Sequence, residues 1–304
     1  MMLTKKENVE AVEAFSEKLE IEGRSLWQDA RTRFKRNRAA MVSLAILTLI
    51  MLAVIFGPML SHYAFDDTDW YSLHAAPSYG AEGHFFGTDS LGRDLFTRTL
   101  IGGRISLMVG VLGALVAVVI GTLYGATSGF IGGRTDRVMM RILEILYSIP
   151  FMFFVIVLVT FFGRNIMLIF VAIGAISWLD MARIVRGQTL SLRSKEFIEA
   201  AHVSGVSRWR IITRHIVPNV LGIVAVYSTL LVPSMILTES FLSFLGLGVQ
   251  EPMTSWGALL QEGSQTMEVA LWQLMYPAAF MVVTLFCFNY VGDGLRDALD
   301  PKDR

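Results

Sequence analysis

Cysteine is nearly absent from this chain: Cys287 is the only one in 304 residues, and it lies inside an apolar run. One thiol can form neither an internal disulfide nor a cysteine-based metal site, so it reads as a small packing residue. No Gly-x-x-x-x-Gly-Lys-Ser/Thr phosphate loop occurs, so the polypeptide is not expected to hydrolyse ATP, and no cofactor is expected in it. The five histidines, His62, His74, His84, His202 and His215, lie outside the apolar runs without the paired spacing of metal ligands, which argues against a metal enzyme. An intramembrane serine protease could point to Ser128, but that chemistry needs a base within reach, and no histidine falls in an apolar run. There is no surplus of charge of either sign, with 26 basic and 26 acidic side chains, so nucleic acid is not an expected partner. The first 40 residues lack an apolar core and a small-residue cleavage site, so no removable signal peptide is expected. A self-contained, ion-coupled secondary transporter would ordinarily carry internal repeats; none is convincing, and that class stands as the alternative.

What is abundant is apolar sequence. With 54% hydrophobic and 17% charged residues, the chain is expected to be an all-α integral membrane protein. Six runs approach the length needed to cross a core of roughly 30 Å at about 1.5 Å per helical residue: Met41 to Leu60, Ile105 to Tyr124, Ile145 to Phe162, Ile166 to about Ala182, Val220 to Leu237, and Met275 to Val291. The fourth is the shortest in uninterrupted apolar length, and partial burial in the bundle is expected for it. Basic residues orient the set. With the N-terminus inside, 22 of the 26 fall in inner segments, leaving Arg93, Arg98, Arg104 and Arg164 outside. Both termini are therefore expected in the cytoplasm. The division that follows is a basic segment 1–40, a first helix 41–60, an outer loop 61–100, a five-helix domain 101–291 with a cytoplasmic loop 185–217, and a tail 292–304. The run Arg31, Arg33, Lys35, Arg36, Arg38 is either an interfacial helix on anionic membrane lipid or a simple positive-inside anchor.

Within the spans, Gly121, Gly125 and Gly129 recur every four residues and predict close helix packing, with Gly110 and Gly113 adding to the stripe. Pro150, Pro233 and Pro277 interrupt apolar runs and predict kinks. Glu144, Asp180 and Glu239 are ionisable residues in or beside apolar runs. The first two have Arg141 and Arg183 three residues away and are expected to form helix ion pairs. Glu239 has no such neighbour; with Ser240 and Ser243 it is expected to face a translocation path or to brace an outer gate. The loop between the fourth and fifth spans reads as a helix, a Gly205 turn and a second helix. Phe197, Ile198 and Ala201 share one face, Ile211 and Ile212 follow the turn, and Pro218 opens the next helix.

This loop resembles the Glu-Ala-Ala loop of permease subunits of ATP-binding-cassette (ABC) importers. Glu199, Ala200, Ala201, Gly205 and Pro218 fall in register, with His215 and Val217 departing from the Ile and Leu of that pattern. The outer stretch Phe86-Gly-Thr-Asp-Ser-Leu-Gly-Arg-Asp94 and the stretch Ser240 to Gly248, running on to Glu251-Pro252 and Ser255-Trp256-Gly257, resemble the peptide and nickel branch. The resemblance implies a type I ABC importer transmembrane domain of six helices in a bacterial inner membrane. It implies a coupling helix in the loop, gripped by a separate ATPase. The implied partners are a second homologous permease subunit, two ATP-binding subunits that hold ATP and Mg, and a periplasmic substrate-binding protein. The implied cargo is oligopeptide, with dipeptide or nickel as alternatives within the branch.

Overall fold

The computed structural model describes residues 26–80 and 83–299. Residues 1–25 and 300–304, which hold most of the basic N-terminal segment and the end of the tail, lie outside the described residues. The described chain is helical, without a strand; Thr88 and Asp94 form one isolated bridge. The helices are α1 (Leu26–Arg36), α2 (Arg38–Leu60), α3 (Leu95–Ile131), α4 (Gly133–Ser148), α5 (Phe151–Phe162), α6 (Ile166–Arg193), α7 (Glu196–Val203), α8 (Arg208–Ile211), α9 (Val217–Phe244), α10 (Trp256–Gln265) and α11 (Trp272–Leu299).

Among the described residues four helices are long and apolar enough to cross a membrane: α2, α3, the run Arg208–Phe244 and α11. The α4 and α5 pair makes a fifth if taken together. The third expected span, Ile145 to Phe162, is thus not one helix. The chain breaks at Ile149, which is extended, and Pro150, which caps α5, and the two helices are bent by 75°. Proline lacks an N–H and disfavours helical geometry in the residue before it, and Pro150 is exposed. Pro233 and Pro277 carry the same chemistry but are buried, and α9 and α11 run through them unbroken.

The bundle is centred on α3, 37 residues and about 55 Å long, against which α6 and α9 pack. Glycine makes the α3–α6 seam. A Cβ on Gly121 would stand 2.6 Å from Met181 Cβ and 2.8 Å from the Trp178 carbonyl oxygen, and one on Gly129 would stand 2.8 Å from Thr189 Cβ. The stripe is therefore a packing surface that lets two backbones approach. Gly110 and Gly113 serve α9 in the same way, against Ile236 and Met235. The partial burial expected of the fourth span is found in α6, where Ala172, Ile173, Leu179, Met181, Ala182 and Val185 are buried.

A proline that the sequence reading passed over shapes α2. Pro58 cannot donate to Val54, and Arg104 of α3 supplies the missing donors: Nε and Nη2 reach the Val54 oxygen at 3.2 and 3.0 Å, and Nη2 reaches that of Ile55 at 3.0 Å. One arginine thereby satisfies freed carbonyls and ties α2 to α3.

Candidate coupling site and buried carboxyl hub

The loop after α6 folds as helix, glycine turn, helix. In α7, Ile198 is buried and Ala201 half-buried, whereas Phe197 is 44% exposed, so the face expected to hold all three holds two. Gly205 has φ +76°, and the turn closes with paired bonds: Val206 N–H donates to the Ala201 oxygen and Gly205 N–H to that of His202, both 3.1 Å. This is the Schellman arrangement, which needs a left-handed residue after the helix and so selects glycine. Val206 and Ala201 then both pack against the core. Glu199, Ala200 and Gly205 stay exposed.

Beyond the turn the chain does not stop and restart at Pro218. α8 passes through a π-helical turn, Ile212–Ile216, into α9, and Val217 N–H donates to the Ile212 oxygen. Pro218, the second residue of α9, would clash with a regular helical turn below it, and the widened turn provides the room. Ile211, Ile212 and Ile216 are buried beneath it. α7 is thus a short exposed helix strung between two long ones. A cleft of about 410 Å³ beside it is lined by Glu199, His202, Val203, Arg208 and the end of α3 at Phe130 and Ile131.

Of the two helix ion pairs expected from spacing, one forms and one does not. Arg141 and Glu144 pair at 3.2 Å on the surface. Arg183 does not pair with Asp180; its guanidinium lies over the Tyr147 ring, 4.3 Å from the centroid. Spacing did not reveal the tightest contact on this side. Arg186 of α6 donates to both oxygens of Asp136 in α4 at 2.6 Å, and Ser128 of α3 donates to Asp136 at 2.5 Å.

On the other side of the bundle Glu239 is fully buried. Its oxygens accept from Ser243 at 2.6 Å and from Ser106 of α3 at 3.1 Å. Ser106 in turn accepts from Trp256 N–H at 3.1 Å, and Ser243 lies 3.3 Å from Ser255, the N-cap of α10. Trp256, itself buried, donates Nε1–H to the Thr99 oxygen at 3.0 Å. One carboxyl therefore joins α3, α9 and α10. Ser240 points elsewhere, to Met281 Sδ of α11 at 3.3 Å.

The loop before α3 packs down on this hub through charge. Arg93 pairs with Asp89 at 2.6 Å and Glu251 at 3.0 Å; the fully buried Arg98 pairs with Asp89 and Glu262, each at 3.2 Å. Burial disfavours the charge on Arg93, but Asp89 beside it prevails and holds its pKa above the ordinary arginine value. Burial pushes Glu262 above the usual carboxylate range, against the pull of Arg98 and Arg93. His84 Nδ1 meets Asp94, the N-cap of α3, at 2.9 Å. Mixed charge in this loop thus makes structural ion pairs that join residues 89–98 to residues 251–262.

With this geometry in place, comparison with known proteins defines the class. Residues 117–304 match the family of binding-protein-dependent transport system inner membrane components, and residues 25–77 match the N-terminal TM domain of oligopeptide transport permease C. The chain belongs to this family of transport permeases, and its bundle is a type I ABC importer transmembrane domain. It is 71% identical over 304 residues, all of both chains, to the oligopeptide transport system permease protein OppC of Escherichia coli K12. It is 64% identical to OppC of Haemophilus influenzae over 297 residues, 97% of this chain and 95% of that one. The dipeptide transport system permease protein DppC of Bacillus subtilis is 45% identical over 281 residues, 92% and 87% of the two chains. The expectation of an ABC importer permease of the peptide and nickel branch is borne out.

Proposed function

We propose that this chain is one of two permease subunits of an ATP-driven importer of oligopeptides in a bacterial inner membrane, with both termini cytoplasmic. The observation that carries the coupling assignment is α7: an eight-residue helix, exposed at Glu199 and Ala200, closed by a glycine turn and joined without slack to α6 and α8. A push on it reaches three long helices. α6 precedes it, the Arg208–Phe244 run follows it, and the end of α3 lines the same cleft. ATP and Mg belong, in this reading, to two ATPase subunits that grip α7 differently when open and closed, because only such a difference can shift the permease between states. A periplasmic binding protein delivers the peptide to the outer face. Glu239, held by Ser106 of α3 and Ser243 of its own helix, braces that outer end, and the ion pairs of Arg93 and Arg98 fix the loop over it. Oligopeptide is preferred over dipeptide on the strength of the 71% and 64% identities to OppC permeases against 45% for DppC.

The test is affinity purification of the tagged chain from its own membranes in mild detergent, with mass spectrometry of what accompanies it. Phosphate-loop ATPases together with a second permease chain are expected. A chain that purifies folded and alone, and moves solute on an ion gradient without ATP, would overturn the proposal.

A further inference from the structure

α2 and α3, both long and apolar enough to cross a membrane, leave an open groove of about 510 Å³ between them. The two helices run antiparallel along it. A Cβ on Gly57 would stand 2.5 Å from Leu100, one on Gly103 would stand 2.9 Å from Val54, and Arg104 reaches the Val54 and Ile55 carbonyls. Val54 and Leu107 form the buried floor of the groove, and the exposed Met51, Ile55, Met108, Val111 and Leu112 form its sides. Among the described residues, Arg104 is the only charged side chain that lines it. That charge sits toward one end, level with Ile55 near the end of α2, with only Met59 beyond it. From Arg104 the apolar lining runs along α3 to Leu112, about 12 Å at the helical rise.

Arg104 is half-buried, and the carbonyls that take its Nε and Nη2 protons do not neutralise it. Among the described residues no carboxylate pairs with it, and its Nη1 donates no hydrogen bond. A charge held between membrane-spanning helices is costly unless it meets water or a counter-charge. A cation near one end of an apolar groove fits a ligand with an anionic head and a hydrocarbon tail. The 12 Å of lining is close to the roughly 15 Å depth of one leaflet's hydrocarbon. An apolar helix of another chain laid over the groove would instead seal the cation away without a counter-charge. We propose that the groove binds one anionic phospholipid, with the phosphate on Arg104 and an acyl chain lying between Met51 and Ile55 of α2 and Met108, Val111 and Leu112 of α3. The unbranched methionines suit a chain that has no fixed shape. The lipid then covers the joint at which Arg104 ties α2 to the bundle. The inference does not depend on what the permease carries.

The experiment reconstitutes the full chain, with whatever subunits copurify, in phosphatidylcholine bilayers. A trace of phosphatidylglycerol or of phosphatidylcholine is added, each carrying the same photoreactive diazirine on its acyl chain. After irradiation, mass spectrometry of the peptides locates the attached lipid, and labelling of the groove is expressed relative to labelling elsewhere on the chain. Phosphatidylglycerol is expected to label the groove about fivefold more than phosphatidylcholine, the size of one basic side chain acting on an anionic lipid. Arg104→Gln keeps a donor for the Val54 carbonyl but loses the charge, and should bring the two lipids to within about twofold. Met108→Trp with Leu112→Trp fills the groove at exposed positions and leaves Arg104 in place; groove labelling should vanish while labelling elsewhere persists. In the parent chain, groove labelling equal for the two lipids, or absent for both, would overturn the proposal, the second result assigning the groove to another protein chain. A glutamine variant that keeps the full preference would overturn the placement of the phosphate on Arg104.

Discussion

Removing the Glu239 carboxyl should loosen three helices at once, and the structure gives the scale. Two serine hydroxyls, from Ser106 and Ser243, donate to it in a fully buried setting, and Ser106 also holds Trp256 N–H. Glu239→Ala leaves both hydroxyls without their acceptor, at about 1–3 kcal/mol each, plus a cavity. Glu239→Gln keeps one acceptor oxygen and should cost about 1 kcal/mol. At about 2–4 °C per kcal/mol for a chain of this order of size, the alanine variant should melt at least several degrees lower than the parent. The assay is thermal unfolding of the detergent-solubilised chain, followed by tryptophan emission. A double-mutant cycle isolates the contact: Ser106→Ala should cost clearly less in the Glu239→Ala background than in the parent. Additive costs, or a Glu239→Ala chain as stable as the parent, would refute the hub.

Other substitutions read other joints. Gly121→Leu drives a side chain into Met181 and the Trp178 carbonyl, so α3 and α6 must part; an expected loss of about 1–3 kcal/mol would appear as a lowered melting temperature, while the same change at the open Gly187 should leave it nearly unmoved. Arg104→Met strips the donors from the Val54 and Ile55 carbonyls and should cost about 1–3 kcal/mol, with faster amide exchange at the outer end of α2 as the readout. Glu262 is held above its ordinary value, so the folded chain binds its proton more tightly than the unfolded chain does. Its contribution to stability is fully present below the unfolded value and is lost as pH rises through the folded one. Melting curves across that window should therefore fall less steeply with rising pH in Glu262→Gln than in the parent.

Local spacing carried the parts of this fold that are local. Glu199, Ala200, Ala201 and Gly205 announce a helix and its left-handed stop, and the four-residue rhythm of Gly121, Gly125 and Gly129 announces a close seam. What spacing could not carry was context. Pro150 and Pro233 look alike in sequence, yet one breaks a helix and the other does not, because only the second is enclosed by neighbours. Glu239 stood out as a lone carboxyl, but its partner Ser106 lies 133 residues away, and no sequence rule links them. The Asp136 and Arg186 clamp, 50 residues apart, was invisible for the same reason. Arg183 shows the converse: the spacing offered Asp180, and an aromatic ring took it instead.

The central claim is that an outside ATPase works this permease through α7, and Glu199→Lys tests it most directly. Glu199 is exposed and lines the cleft beside α7, so reversing its charge should leave insertion and folding unchanged. Uptake of a labelled oligopeptide is the measurement, in cells whose own copy is replaced by the variant, normalised to the amount of chain in the membrane. The account predicts uptake reduced by an order of magnitude or more, on the basis that losing a few kcal/mol of differential grip removes most of a two-state shift. Uptake equal to that of the parent, at equal membrane level, would contradict it.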